Sequence, residues 1–367
     1  MILSHRIRLN PSPDQEAYFR QACGIARFAF NWGRAEWERI YKDGGKPSAL
    51  GLKKDFNAVK GSAFPWTYDV TKSAVEGAFS DLGKAFANFF RGMKSVGYPK
   101  FKAKHRSKPT FYLANDRFDV DGHALRIQKL IGVVNMAEVL RFVGKILSGR
   151  ISFKAGHWWI SIQVEMPNRT LAHPGGSVGI DLGLKTLAVC SDGVCFQNPR
   201  HLAGALKKLR GLQRSLSRKV KGSSNWLKAK ARVARAYARV ADQRGDAIHK
   251  MTSELVRQHN LIGLEDLNVR GMTGLRSLAR SLADAAFGEI RRQLEYKAPM
   301  LGSRVVVVDR WFASSKLCSA CGWKKEDLEL KDRSWTCGGC GAIHDRDLNA
   351  AINIRNAVIP VVASSGS

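Results

Sequence analysis

Two cysteine pairs, Cys318-Ser-Ala-Cys321 and Cys337-Gly-Gly-Cys340, stand fifteen residues apart and constrain this chain more than any other feature. Each Cys-x-x-Cys pair sets two thiolates on one tight knuckle, and two knuckles complete a tetrahedron around Zn²⁺. Gly322 and Gly341, directly after the pairs, suit the turn geometry beneath the sulfurs. Paired redox thiols are the alternative, but disulfide exchange does not need two pairs at this spacing. Four sulfur ligands close the coordination shell, so such a metal is structural and stabilises a segment with no core of its own. Seven residues beyond Cys340 stands Asp347, in the run His344-Asp-Arg-Asp-Leu-Asn-Ala-Ala351.

The charge balance narrows the partners. Sixty Lys and Arg against 31 Asp and Glu leave a net charge of +29. A field of that size attracts polyanions and releases their counterions on binding, so nucleic acid is the first candidate and an anionic membrane the second. No segment approaches the roughly 18 apolar residues of a membrane span, which argues against an integral membrane protein. The opening Met-Ile-Leu-Ser-His-Arg turns polar too soon for a signal peptide. Four of seven cysteines at metal spacing argue for a reducing compartment, hence a cytoplasmic location, and Cys23, Cys190 and Cys195 read as packing residues. With 367 residues the chain has room for two or three domains.

Hydrophobic periodicity gives the order of elements. Residues 2–9 read as a strand, and a helix then starts at Ser12 as N-cap, with Pro13 at N1 and Gln15 completing a capping box. Phe19, Ala22, Ala26 and Phe30 lie on its apolar face, continued by Trp37 and Tyr41, and a further helix is predicted over about 70–90. From Arg91 to Lys108 there are seven basic residues, Lys94 among them, and no acid; a solvated linker and a phosphate-contacting strand both fit. Residues 110–166 switch to alternation with turn signals at Asp121-Gly122 and Ala155-Gly156, predicting an antiparallel barrel closed by the N-terminal strand, with the helices inserted into it. Residues 167–176 suit a linker. Two strands are expected around Gly183, then a helical hairpin over 203–250, short strands at 261–267 and 305–308, a helix over 281–297 between them, and a frayed end. Residues 200–250 carry 15 basic and 2 acidic side chains, and this self-repulsion is relieved by a polyanion.

Three acids stand in apolar or small-residue surroundings: Asp181 mid-strand in Val178-Gly-Ile-Asp-Leu-Gly183, Glu265 at the end of Leu261-Ile-Gly-Leu, and Asp347 opening a helical run. One acid at a strand end is commonly a cap or turn residue; three converging acids repel one another unless divalent cations neutralise them. That is the arrangement of two-metal phosphodiester hydrolysis, and oxygen ligands select Mg²⁺ or Mn²⁺.

These runs, together with Gly-Leu-Glu-Asp-Leu267, Glu289-Ile-Arg-Arg-Gln-Leu-Glu-Tyr-Lys, Val308-Asp-Arg-Trp-Phe-Ala-Ser-Ser-Lys-Leu-Cys-Ser-Ala-Cys-Gly and Asp345-Arg-Asp-Leu-Asn-Ala-Ala, resemble TnpB, the transposon-encoded RNA-guided nucleases ancestral to type V CRISPR effectors. Leu9-Asn-Pro-Ser-Pro-Asp-Gln-Glu, Arg27-Phe-Ala-Phe-Asn-Trp and Tyr98-Pro-Lys-Phe-Lys extend the resemblance to nearly the whole length. It implies an α+β multidomain fold: a wedge-type β-barrel (1–10 and 109–168) with a helical recognition insertion and basic linker (11–108), then a RuvC/RNase H-like α/β domain (174–311 and 341–358) with an inserted four-cysteine zinc ribbon (312–340) and a disordered tail (359–367). It implies a RuvC site of Asp181, Glu265 and Asp347, with Asp345 a neighbouring option for the third acid, two Mg²⁺ and a structural Zn²⁺. It implies a monomer with a guide RNA from the transposon end, acting on double-stranded DNA beside a short flanking motif and on no small molecule. Candidate contacts are Thr71, Lys72 and Glu76 for the flank, Lys100, Lys102 and Lys104 for RNA, Arg210, Arg214, Arg218 and Lys219 for the heteroduplex or guide, and Arg346 for the scissile phosphate. A transposition-associated regulatory nucleic-acid-binding protein, a strand-transfer enzyme and a miniature type V CRISPR effector are the alternatives.

Overall fold

In the computed structural model every second residue of β1 (Ile2–Asn10) from His5 to Leu9 is buried, the alternation of a strand with one face on a core. The structure describes residues 1–93, 96–167, 175–274, 277–329 and 331–363. They fall into two compact units, Met1–Pro167 and Asn168–Ser367. Lys94, most of the expected linker (168–174) and the last four residues lie outside the described residues.

In the first unit, α1 (Pro13–Lys42) is a single 30-residue helix. Its capping box forms as predicted: the Ser12 amide donates to Gln15 Oε1 at 3.0 Å and the Gln15 amide to Ser12 Oγ at 3.3 Å. Two orphan amides are satisfied reciprocally, which fixes where the helix begins. Tyr41 lies off the apolar stripe and is exposed. A helix the periodicity does not reveal, α2 (Ala49–Ala63), follows, capped by Ser48 Oγ. Next, α3 (Ser73–Phe90) starts three residues later than predicted, because Val70 is extended. Trp37 stacks on Phe86 at 3.9 Å, while Phe19 touches both Phe111 and Trp158, so helices and sheet share one core.

The sheet comprises β1, β2 (Thr110–Ala114), β3 (Phe118–Asp121), β4 (Ala124–Ile127), β5 (Val134–Met136), β6 (Lys145–Lys154) and β7 (His157–Glu165), in the order β2-β6-β7-β1-β5-β4-β3. The N-terminal strand is central, paired antiparallel with β7 and β5. The barrel is nearly closed rather than closed: β2 and β3 are its edges, joined by one turn at 115–117, and Phe118 packs over Gly149 of β6.

The second unit has a five-stranded sheet of β8 (Ser177–Leu182), β9 (Thr186–Cys190), β10 (Cys195–Gln197), β11 (Leu261–Glu265) and β12 (Arg304–Val308), in the order β10-β9-β8-β11-β12. The first three in the chain run antiparallel, whereas β8, β11 and β12 are mutually parallel. Between β10 and β11 come α4 (His201–Ser217) and α5 (Ser224–Gln258). The helix predicted over 281–297 is two: after the short α6 (Val269–Met272), α7 (Ala279–Ala285) and α8 (Phe287–Leu301) are separated by Ala286 in the left-handed region at φ 55°. The small ladder β13 (Ser334–Thr336) with β14 (Ile343–Asp345) leads into α9 (Arg346–Ala363). That helix continues through 359–363, so the expected disordered tail does not begin at 359.

Alternation along β8 and β11 decides which helix meets which side chain. Val178, Ile180, Ile262 and Leu264 join the core formed with α5 and α8. Gly179 and Gly263 face α9 instead, and α9 rests directly on them. A Cβ on Gly179 would stand 2.1 Å from the Ala351 carbonyl and 2.3 Å from the Arg355 amide, and one on Gly263 2.9 Å from Ile354 Cγ2. Gly179→Ala should therefore cost roughly 1–3 kcal/mol or more, since backbone rather than a side chain must move. Gly288→Ala, with nothing within 4 Å of the added carbon, should be neutral or stabilising by up to about 1 kcal/mol. Paired chemical denaturation of the two variants checks the difference.

Candidate active site and metal centre

The period of two that aims Gly179 and Gly263 at α9 aims Asp181 and Glu265 the same way, two residues on. Ile180 is in register with Leu264 in the parallel pair, so the two acids stand side by side at the carboxyl ends of adjacent strands. Asp347 sits in the first turn of α9, the helix lying across that face. All three are half-buried. Burial, then the charges of Glu265 and Asp347, push the Asp181 carboxyl up from 3.8 to about 7. Burial likewise raises Glu265, moderated by the hydroxyl of Ser314 and the charge of Arg346. Ser314 hydrogen-bonds Glu265 Oε1, and Arg333 Nη1 lies 3.6 Å from Asp347 Oδ1.

The neighbouring acids are engaged elsewhere. Asp345 Oδ1 accepts the amides of Asp347 at 3.1 Å and Leu348 at 2.9 Å, making it the N-cap of α9. Asp266 turns to Arg291 at 2.7 Å and to Arg310, which hold its carboxyl below the usual range. Among the described residues, the set of three or more acidic, Cys or His side chains whose ligand atoms all lie within 4.8 Å of one another is that of the four cysteines, so the three carboxylates are not all within that reach of one another.

Within the cysteine set, Cys318 Sγ and Cys340 Sγ are 3.7 Å apart, and Cys321 Sγ and Cys337 Sγ 3.6 Å. Sulfurs bound tetrahedrally at about 2.3 Å have edges of about 3.8 Å, so both the donor type and the spacing fit Zn²⁺. Asn349 and Asn353, buried on α9, clamp the entry to this cluster. Asn349 Oδ1 accepts the Ser319 amide at 2.9 Å, and both Asn side chains donate to the Leu317 carbonyl at 2.7 Å. Asn353 also donates to the Ser314 carbonyl at 2.8 Å. The residue that bonds Glu265, the first knuckle and the helix bearing Asp347 are thus one hydrogen-bonded body. Sequence reasoning missed Ser314, Asn349 and Asn353; the available signal was a pair of amides at i and i+4 inside an apolar helical run.

The nucleic-acid candidates divide by exposure. Arg210, Arg214, Arg218 and Lys219 are exposed on or just beyond α4, and Lys72, Lys100 and Lys104 are exposed too. Glu76 pairs with Lys53 at 3.2 Å. Thr71 is a correction: it is fully buried, its amide donates to the Tyr18 hydroxyl at 3.0 Å, and its Oγ1 accepts the Ser73 amide at 3.4 Å, so it orders the start of α3 and presents no contact surface. Lys102 is half-buried, with its backbone held at both ends by Asn31 and its ammonium 3.6 Å over the Phe30 ring, so it anchors the basic segment. Arg346 is half-buried at the start of α9, its guanidinium reaching the Glu329 carbonyl at 3.4 Å.

The architecture is that of a known class. It is similar to the solved structure of a Cas12f1–sgRNA–target DNA complex at a TM-score of 0.59 and 17% identity, covering 93% of this chain and 83% of that one. Family models match residues 1–46 ("Helix-turn-helix domain"), 161–276 ("Probable transposase", OrfB of IS605) and 287–354 ("Cas12f1-like, TNB domain"). Within the first of these ranges lie β1 and the unbroken α1. A "Putative RNA-guided DNA endonuclease" of Streptomyces pristinaespiralis is 34% identical, covering 95% of this chain and 87% of the relative. The InsQ protein of Escherichia coli K12, which carries the same description, is 31% identical over 98% and 92%. The chain belongs to the TnpB-like family of IS605-type probable transposases. None of its described helices is long and apolar enough to cross a membrane.

The raised acid at Asp181 has a sign that can be tested. A carboxyl whose folded pKa lies near 7 against an ordinary 3.8 favours the folded state below pH 4, and that contribution is lost as pH rises through 7. With divalent cations chelated, stability at pH 8 should fall below that at pH 5.5, with a slope of at most about 1.4 kcal/mol for each step of one in pH. Asp181→Asn should flatten the difference in denaturation midpoints, and an undiminished slope in the variant would assign it to other groups.

Proposed function

We propose that this chain is an RNA-guided DNA endonuclease of the TnpB type, cleaving target DNA in a RuvC-like site made of Asp181, Glu265 and Asp347. What carries the reading is the placement of Asp181 and Glu265 side by side at the ends of adjacent parallel strands under the helix whose first turn bears Asp347, where burial and then the charges of Glu265 and Asp347 raise the Asp181 carboxyl. Three acids brought together from separate elements repel one another, and divalent cations would neutralise them. Bound there, two Mg²⁺ ions supply Lewis acidity toward the scissile phosphate and a water acidic enough to attack it. The chain's own contribution is positional. Asp181 would hold a cation beside Glu265, Ser314 fixes the rotamer of Glu265, and Asp345 caps the helix that presents Asp347.

The division of labour along the chain follows. Residues 1–10 and 109–168 form the wedge barrel, 11–108 the recognition insertion, 174–311 and 341–358 the nuclease domain, and 312–340 a ribbon closed by Zn²⁺ on Cys318, Cys321, Cys337 and Cys340. The guide RNA pairs with the target strand while the protein reads a flanking motif, with Lys72 and Glu76 at the flank. Exposed Arg210, Arg214, Arg218 and Lys219 suit phosphate contact along the guide or heteroduplex, and Arg346 suits the scissile phosphate. The protein acts as a monomer with its RNA, in the cytoplasm.

The test is cleavage by the protein purified with its co-purifying RNA, on plasmids matching that guide. Asp181→Ala and Asp347→Ala should abolish cutting while RNA and DNA binding persist, and Asp345→Ala should cut more slowly. Binding lost in step with cleavage would make these acids structural, and joined rather than broken products would assign strand transfer. Cys337→Ser should lower zinc content and activity together; a variant with full zinc stoichiometry would exclude this ligand set.

A further inference from the structure

The sulfurs of the cysteine cluster are served unequally. Cys321 and Cys340 are exposed. Cys318 and Cys337 are both buried to 2% exposure. Cys337 Sγ receives the amides of Gly339 at 3.3 Å and Cys340 at 3.4 Å. At Cys318 Sγ the partner is a side chain: His344 Nε2, 3.0 Å away. Four thiolates around a divalent cation carry a net charge of −2, and a buried thiolate without hydrogen bonds or water is costly.

We infer that His344 is a positioning residue, donating Nε2–H to the Cys318 thiolate and thereby fixing the ribbon to the strand that leads into the acid-bearing helix. The inference rests on the zinc reading above. A metal-bound thiolate is an acceptor, which requires the proton on Nε2. The ring is also held from its flank: His344 pairs across the ladder with Trp335, their rings 4.8 Å apart, and Trp335 is itself buried. His344 does not belong to the group of donor atoms lying within 4.8 Å of one another, so it backs a ligand rather than replacing one. The next residue, Asp345, is the cap of α9, and Asp347 follows two positions on. One imidazole thus couples the knuckle at 318–321 to the register of β14 and the start of α9. Residues that orient metal ligands in this way typically change affinity roughly 10–100-fold when removed.

His344→Phe keeps a ring against Trp335 but cannot donate, whereas His344→Gln offers an amide N–H. In the full-length protein, His344→Phe should retain one zinc per chain yet release it to a chelator about tenfold faster. In the Co²⁺-substituted form its sulfur-to-metal charge-transfer band should move to lower energy, because the thiolate regains electron density. His344→Gln should recover part of both effects. Wild-type release rates with an unmoved band in His344→Phe would overturn the inference and leave only packing against Trp335. A variant isolated without zinc would overturn it in favour of direct ligation. A wild-type chain holding no zinc would sink the metal reading itself, which metal analysis separates from the other outcomes.

Discussion

The close seating of α9 on β8 and β11 is the contact on which the rest of the second unit depends. Gly179 and Gly263 remove the two side chains that would hold the helix off, and its backbone approaches the sheet within van der Waals reach. Because strand side chains alternate, the residues two places further on, Asp181 and Glu265, necessarily face the same helix, whose first turn carries Asp347. Packing and chemistry are therefore not separate designs here: the glycines that admit the helix also set how near its first turn lies to the two strand acids. Burial first, and the neighbouring charges of Glu265 and Asp347 second, raise the Asp181 carboxyl there.

The cysteine cluster enters the same body through hydrogen bonds rather than apolar packing. Its own buried core is small, with Leu328 and Trp335 beside Cys318 and Cys337. Asn349 and Asn353 compensate by satisfying the backbone of 314–319 from the helix side, and that segment also carries the hydroxyl on Glu265. Removing a metal from a segment of this kind removes the folding energy that a larger core would supply.

The first unit follows a different logic. A central N-terminal strand with partners from the far end of the unit forces the helices between β1 and β2 to pack against the sheet, and large aromatics fill the joint: Phe19, Phe111, Trp158 and the Trp37–Phe86 stack. The basic segment beyond α3 is held by Asn31 and by Arg34, whose guanidinium lies 4.0 Å over the Phe101 ring. Cationic side chains there thus serve the structure in part, as Lys102 illustrates, whereas Lys100 and Lys104 are exposed.

Much was legible in the residues themselves because the signals are local. The capping box at Ser12 and Gln15, the alternation of β1 and the Cys-x-x-Cys spacing each depend on neighbours a few positions away, and the chemistry of an acid placed mid-strand among apolar residues needs no fold to look anomalous. What stayed hidden is non-local. Nothing in the chain near Thr71 announces that it is buried beneath Tyr18, and Ala286 shows no glycine to mark its left-handed turn. The amides at Asn349 and Asn353 mark a polar pair in an apolar run, but not that Asn353 serves carbonyls almost forty residues back. The sequence by itself determined the charge, the donor types with their spacing and most of the order of elements, since these are properties of residue type and short spacing. Only the tertiary structure decided which acid caps a helix and which faces its fellows, because that choice is made by strand register and by how near one helix can come to two glycines.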